Sequence, residues 1–164
     1  MEFDWGNIMQ PSALDAIDRK ILALLQANGR ISLTELAEKV GLSQSPCLRR
    51  IRILERAGII SRYVAVLDQD KVGLPVSVFV SIKLESQRQQ ALDRFTKAIS
   101  RWPEVLECYL MTGPRDYLLR VVVADLAAYE RFLKQKLTTV DGVSSIESSF
   151  ALEQVKYTNV LPIS

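Results

Sequence analysis

Apolar residues return every three or four positions from Leu14 to Ala57, and the period changes at Ile59. Leu14, Ile17, Ile21, Leu24 and Leu25 mark one face of a helix over about Ala13–Ala27, ended by Asn28-Gly29. Ser32 followed by Glu35 forms a capping box. It opens a second helix whose inner stripe is Leu33, Leu36, Ala37 and Val40 and which Gly41 closes. Ser43 stands where it can cap a third helix. Pro46 falls in that helix's first turn, where its missing N–H has no helical partner to lose. Leu48, Ile51 and Leu54 form its inward face, and Ala57-Gly58 end it. The β-branched run Ile59–Leu67 then predicts a strand, with the hairpin-like piece Ser61–Leu67 and its Arg62 placed to act as a wing.

Asp68–Pro75 is turn-like and marks a domain boundary. Beyond it Val76, Val78, Val80, Ile82 and Leu84 alternate with Ser77, Phe79, Ser81, Lys83 and Glu85, the signature of a strand with two unlike faces. Ala91, Leu92, Phe95, Ala98, Ile99 and Trp102 define a helix ending at Pro103. Val105–Met111 and Tyr117–Val123 read as strands on either side of Thr112–Asp116. Asp125 caps a helix with the stripe Leu126, Tyr129, Phe132, Leu133 and Leu137, and after Asp141-Gly142 a last strand runs from about Ser145 to Lys156. The order is βαββαβ, the split βαβ or ferredoxin-like arrangement. Its two helices cover one face of the sheet, and a second subunit is the simplest cover for the other. The chain thus divides into 1–60, a helical unit; 61–75, strand and linker; and 76–164, a βαββαβ unit with a sheet face suited to oligomerisation.

Composition narrows the chemistry. A 48% apolar fraction excludes a disordered chain, and 164 residues can bury a sizeable core. The net charge of +2 is too small to imply a polyanionic partner, so only the placement of charge is informative. With two distant cysteines and no histidine, neither zinc-site spacing nor a histidine-based triad is present. No metal and no cofactor is therefore expected. Cys108, alternating with Leu106 and Leu110, and Cys47, beside Leu48, read as packed core residues. The start MEFDWGNIMQPSALD is acidic and broken by Gly and Pro, unlike a signal peptide, and no apolar run approaches the roughly 20 residues that span a bilayer. A cytoplasmic protein with no membrane partner is the expectation.

The third helix carries the strongest chemical signal. Arg49, Arg50, Arg52 and Arg56 stand beside one acid, Glu55. Ser45, Arg49, Arg52 and Arg56 share a stripe that faces away from the apolar one. The planar fork of arginine pairs with phosphate or with guanine O6 and N7. Ser43, Gln44 and Ser45 at the helix start are small or amide-bearing groups that reach base edges, Gln44 bidentately on adenine. A helix that follows a tight turn and carries a one-sided basic stripe is the element that enters the groove of double-stranded DNA. The plainer reading is a solvated basic face.

On these residues the chain resembles the Lrp/AsnC, or feast/famine, family of transcriptional regulators. The resemblance rests on D-x-I-D-R-K-I-L at Asp15–Leu22, G-L-S-x-S-P-C-L-R-R at Gly41–Arg50, L-E-R-x-G-I-I at Leu54–Ile60 and G-x-x-D-Y-L-L at Gly113–Leu119. It implies an α+β chain: an N-terminal winged helix-turn-helix, then a βαββαβ effector domain. It also implies homodimers, assembling into octamers as tetramers of dimers, that respond to an amino acid bound between subunits. The loop of the family often reads G-D-x-D-Y, where this chain has Gly113-Pro114-Arg115-Asp116-Tyr117. Losing one acid weakens recognition of an ammonium, and Arg115 could favour a carboxylate. The tail from Ser148 to Ile163 looks closer to a branch of the family that regulates catabolism of one amino acid.

The candidate effector residues are Thr112, Gly113, Arg115, Asp116, Tyr117 and Ser148. From the residues alone, Gly113 permits close backbone approach and Asp116 can receive an ammonium; the other reading is a β-turn in which Asp116 satisfies backbone N–H groups. Ser148 enters only through the resemblance. The expected function is sequence-specific regulation of transcription in amino-acid metabolism, without catalysis. A ligand-independent nucleoid-type DNA-binding protein is the alternative. An amino-acid-binding enzyme subunit is the less favoured one, since the chain has no histidine, paired-carboxylate motif or phosphate loop.

Overall fold

A computed structural model describes residues 14–163. The acidic start of the chain, through Ala13, and Ser164 lie outside the described residues. Two compact units appear. One is helical and holds residues 14–66 together with 156–163; the other is built on a sheet and holds 67–155.

In the helical unit, α1 (Ala16–Ala27) begins at Asp15, whose side chain accepts the Asp18 N–H at 2.8 Å. The second helix, α2 (Leu33–Val40), begins at Ser32, whose hydroxyl accepts the Glu35 N–H at 3.1 Å, half of the reciprocal capping box. Gly41 ends it in the left-handed region at φ 73°, a conformation that an L side chain adopts only under strain. The third helix, α3 (Gln44–Arg56), follows at once, with Ser43 at its N-cap but making no capping bond through its hydroxyl. Ile21, Leu22, Leu36, Ala37, Val40, Cys47 and Leu54 form the core. The inner stripe of α3 is Cys47, Ile51 and Leu54; Leu48, expected there, is half-buried beside it.

The strand expected over Ile59–Leu67 does not form. Residues 61–68 have no regular structure and are exposed. A strand needs a ladder partner for its backbone groups, and none of the described residues supplies one. The wing expected at Ser61–Leu67 is therefore an open segment in the single chain, tied by the Tyr63 hydroxyl donating to Glu55 at 3.2 Å.

The sheet unit runs β1 (Val76–Leu84), α4 (Gln89–Ile99), β2 (Val105–Leu110), β3 (Tyr117–Val123), α5 (Leu126–Gln135), a single 3-10 turn at Leu137–Thr139, and β4 (Val143–Phe150). The four strands are antiparallel in the order β2-β3-β1-β4, the expected split βαβ topology. The pairings Val76↔Val123, Val78↔Val121, Val80↔Leu119 and Ile82↔Tyr117 put one face of β1 and β3 under the helices. There they join Phe95 and Ile99 of α4 and Tyr129 and Phe132 of α5 in one buried cluster. The opposite face carries Ser77, Phe79, Ser81 and Lys83 from β1 against Val122, Arg120 and Leu118 of β3. Phe79 is 40% exposed there, and Tyr109, opposite Leu118, is 53% exposed.

Three expectations in this unit need correction. Cys108 is exposed rather than core, because β2 is the edge strand and an irregularity between Val105 and Glu107 breaks the alternation. Leu126, the first residue of α5, stands in solvent. The last strand begins at Val143 and stops at Phe150, where its partner β1 runs out: Phe150 pairs with Val78, two residues from the β1 start.

Candidate functional site

The turn and α3 set out the first candidate surface. At about 100° per residue, Ser45, Arg49, Arg52 and Arg56 lie within about 60° of one another and opposite Cys47 and Leu54. The structure agrees: Ser43, Gln44, Ser45, Arg49, Arg52 and Arg56 are exposed, while Cys47 and Leu54 are buried. Arg49, Arg52 and Arg56 make no ion pair among the described residues. No acid occupies the first turn of α3, so the positive end of its dipole is not neutralised locally. Gln44 is oriented by α2, its amide donating to the Thr34 hydroxyl at 2.9 Å.

Arg50 belongs to a different side of the helix. Its guanidinium donates to Asp15 at 2.6 Å and Asp18 at 2.8 Å, and it is only half-exposed. The backbone N–H of Asp18 and then the Arg50 guanidinium hold the Asp15 carboxyl below its usual range, and the two carboxylates raise Arg50. The charge sequence suggested for DNA thus braces α3 on the first turn of α1.

The second candidate is the β2–β3 turn. Gly113 sits at φ +107°, and Thr112, Gly113 and Pro114 are exposed. Asp116 is 3% exposed and faces inward. Its carboxylate accepts the Leu84 backbone N–H at 2.7 Å, the Gln87 amide at 2.7 Å and the Lys83 ammonium at 3.3 Å. Burial works to raise its pKa, but those three donors outweigh it and hold the carboxyl below the usual range. Arg115 turns to β4, donating to the Ser145 hydroxyl at 3.1 Å and to Glu147 at 2.6 Å. Tyr117 packs into the helix-covered core against Phe95 and is 4% exposed. Ser148 also points to the helix side, sharing a hydrogen bond with the Tyr129 hydroxyl at 2.5 Å.

The structure therefore gathers Thr112, Gly113, Arg115 and Asp116 around one turn and sends Tyr117 and Ser148 into packing. It adds Lys83, Gln87, Ser145 and Glu147, which the sequence reading did not single out. Alternation along β1 placed Lys83 on the polar face, but nothing along the chain joins it to a turn more than 30 residues away (positions 83 and 116).

Comparisons with known proteins cover both units. A model described as winged helix-turn-helix DNA-binding matches residues 14–61, and one described as the Lrp/AsnC ligand binding domain matches 77–161. The Bkd operon transcriptional regulator of Pseudomonas aeruginosa is 49% identical over 150 residues, 92% of this chain and 98% of that protein. The DNA-binding transcriptional activator DecR of Escherichia coli K12 is 47% identical over 150 residues, covering 92% and 99%. A transcriptional regulator of Neisseria meningitidis, crystallised with L-Met, superposes with a TM-score of 0.86 at 42% identity, covering 91% of this chain and 96% of that one.

Proposed function

This chain belongs to the Lrp/AsnC family of transcriptional regulators, and from that premise we propose how it reads DNA and how it is controlled. It is a DNA-binding regulator, not an enzyme, and its relatives include regulators named for response to leucine, for glutamate uptake and for proline dehydrogenase. The observation that carries the DNA surface is the exposed stripe of Ser45, Arg49, Arg52 and Arg56, whose guanidinium groups form no ion pair with a carboxylate among the described residues. Ser43, Gln44 and Ser45 enter the major groove first, and the later arginines lie along phosphates.

The regulator works in the cytoplasm as a homodimer. Two copies cover each other's open sheet face, where Phe79 and Tyr109 otherwise meet water, and such dimers assemble further into an octamer. The effector is a free amino acid held at the subunit interface by the turn 112–117 and β4. Glu147 is 61% exposed and Arg115 36%. They pair with each other at 2.6 Å, and an amino acid that parts them meets a carboxylate for its ammonium and a guanidinium for its carboxylate, while Asp116 fixes the turn from behind. The partner copy closes the site. Support comes from the ligand-binding match over 77–161 and from the L-Met complex of the Neisseria relative.

A thermal-shift screen with the common amino acids, followed by gel shifts on DNA from upstream of its own gene, tests this reading. One amino acid should raise the melting temperature and change operator affinity by about 5- to 150-fold, the usual span of allosteric coupling. DNA binding that no amino acid alters would reduce the protein to a ligand-independent DNA binder.

A further inference from the structure

The chain leaves the sheet unit after β4 and its last described residues join the helical unit. There the side-chain amide of Gln26, on α1, reads both backbone groups of Leu161. The Gln26 amide nitrogen donates to the Leu161 carbonyl at 3.2 Å, and the Leu161 N–H donates to the Gln26 amide oxygen at 2.6 Å. A carboxamide is the side-chain image of a peptide group, so this reciprocal pair imitates one rung of a β-ladder. The segment is suited to it. Leu161 precedes Pro162, and a residue before proline is held out of the helical region, which leaves its N–H and C=O pointing sideways. Thr158 braces the approach by accepting the Val160 N–H at 3.1 Å. Two residues past the rung, Ile163 packs against the cluster that contains Ile21, Leu36 and Cys47.

We propose that residues 157–163 form a clasp on the DNA-binding unit, docked on α1 at Gln26, that sets the bearing of the recognition helix. The docking surface is on α1, and its occupant is the chain's own C-terminal segment. The route from clasp to DNA is short. α1 takes the clasp at Gln26 near its end and holds Arg50 of α3 through Asp15 and Asp18 at its start. Six exposed residues, 151–156, connect the clasp to β4, whose Ser145 and Glu147 hold Arg115 of the effector turn. The chain itself therefore runs from the strand that holds the effector turn to the segment that docks on α1, a route separate from the linker 61–67.

The clasp rests on the reading that α3 faces DNA, so two measurements separate the two. Amide hydrogen exchange reads the clasp without DNA: in Ile163→Asp and in a chain lacking residues 158–164, the α1 amides around Gln26 should exchange faster. Unchanged protection overturns the clasp. Duplex DNA from upstream of its own gene reads the consequence. Gln26→Ala should bind it about threefold to tenfold more weakly, what losing one or two exposed hydrogen bonds gives, with the salt slope unchanged because no phosphate contact is lost. A synthetic peptide of residues 157–164 should restore the affinity of the shortened chain. Full affinity in Gln26→Ala, or no rescue by the peptide, overturns the positioning role. Loss of salt-dependent DNA binding in the unaltered protein would instead count against the α3 reading, leaving exchange to decide the clasp.

Discussion

The carboxylate of Asp116 accepts the backbone N–H of Leu84 at 2.7 Å, in the interior of the sheet unit. This bond joins the start of β3 to the end of β1 and fixes the turn beside it. Leu84 is the last residue of β1, where the ladder to β4 shifts register, so its N–H would otherwise be buried without a partner.

Asp116→Ala should therefore destabilise the sheet unit by about 1–3 kcal/mol, the cost of leaving a buried donor unsatisfied. Thermal unfolding checks it; a melting temperature equal to that of the unaltered protein would show that water replaces the carboxylate. Effector affinity should fall as well, through loss of turn geometry.

The same group predicts an acid dependence. Its pKa is held below the ordinary value of 3.8 in the folded state, so ionised Asp116 stabilises the fold above that value. The stabilisation is lost as pH falls through the depressed folded pKa. Urea unfolding followed from pH 6 downward should show a fall in stability below about pH 4. Asp116→Asn should show a shallower fall, and an identical slope in the two proteins would assign the acid dependence to other carboxylates.

The arginines of α3 should separate into two classes. Arg49→Ala, Arg52→Ala and Arg56→Ala should weaken DNA binding and each lower the slope of log affinity against log salt by about 0.9, the signature of one lost phosphate contact. Arg50→Ala should instead lower the melting temperature of the helical unit, because it removes the tie to Asp15 and Asp18. A salt slope reduced by Arg50→Ala and untouched by the other three would reverse the assignment.

Phe79→Asp places a charge in the middle of the uncovered sheet face. Sedimentation should show the proposed dimer replaced by monomer, with the helical unit still folded by circular dichroism. A stable dimer would move the interface off this face.

The thiols give a check on packing. Cys47 is fully buried, and burial raises its pKa; partial burial of the Cys108 sulfur pushes that thiol up to about 11. At neutral pH a thiolate-selective reagent should label Cys108 slowly and Cys47 only after denaturation, with Cys108 labelling faster as pH rises. Rapid labelling of Cys47 in the native protein would mean that α3 opens readily.

The fold was legible because its signals are local. Ser32 and Glu35, Gly41 and the period of α1 to α3 depend on neighbours within a turn or two, as does the strict alternation of Val76–Leu84. The segment Ile59–Leu67 misled for the same reason: its β-branched residues favour a strand, but a strand also needs a partner. Cys108 misled because alternation does not say which strand lies at an edge.

By itself, the sequence determined the helices of the first unit and most of the sheet of the second, the basic stripe of Arg49, Arg52 and Arg56, and the turn at Gly113, since each follows from periodicity, capping or backbone freedom within a few residues; the unit expected over 76–164 instead ends at Val155, and residues 156–163 join the helical one. Only the tertiary structure decided which polar and charged groups are already satisfied. Arg50 pairs across 35 and 32 positions, Asp116 across 33, 32 and 29, and Gln26 meets Leu161 across 135. Partnerships at such separations leave no period in the chain. They are set by how helices and strands pack, and that packing divides the residues that hold the protein together from those left free to meet DNA or an effector.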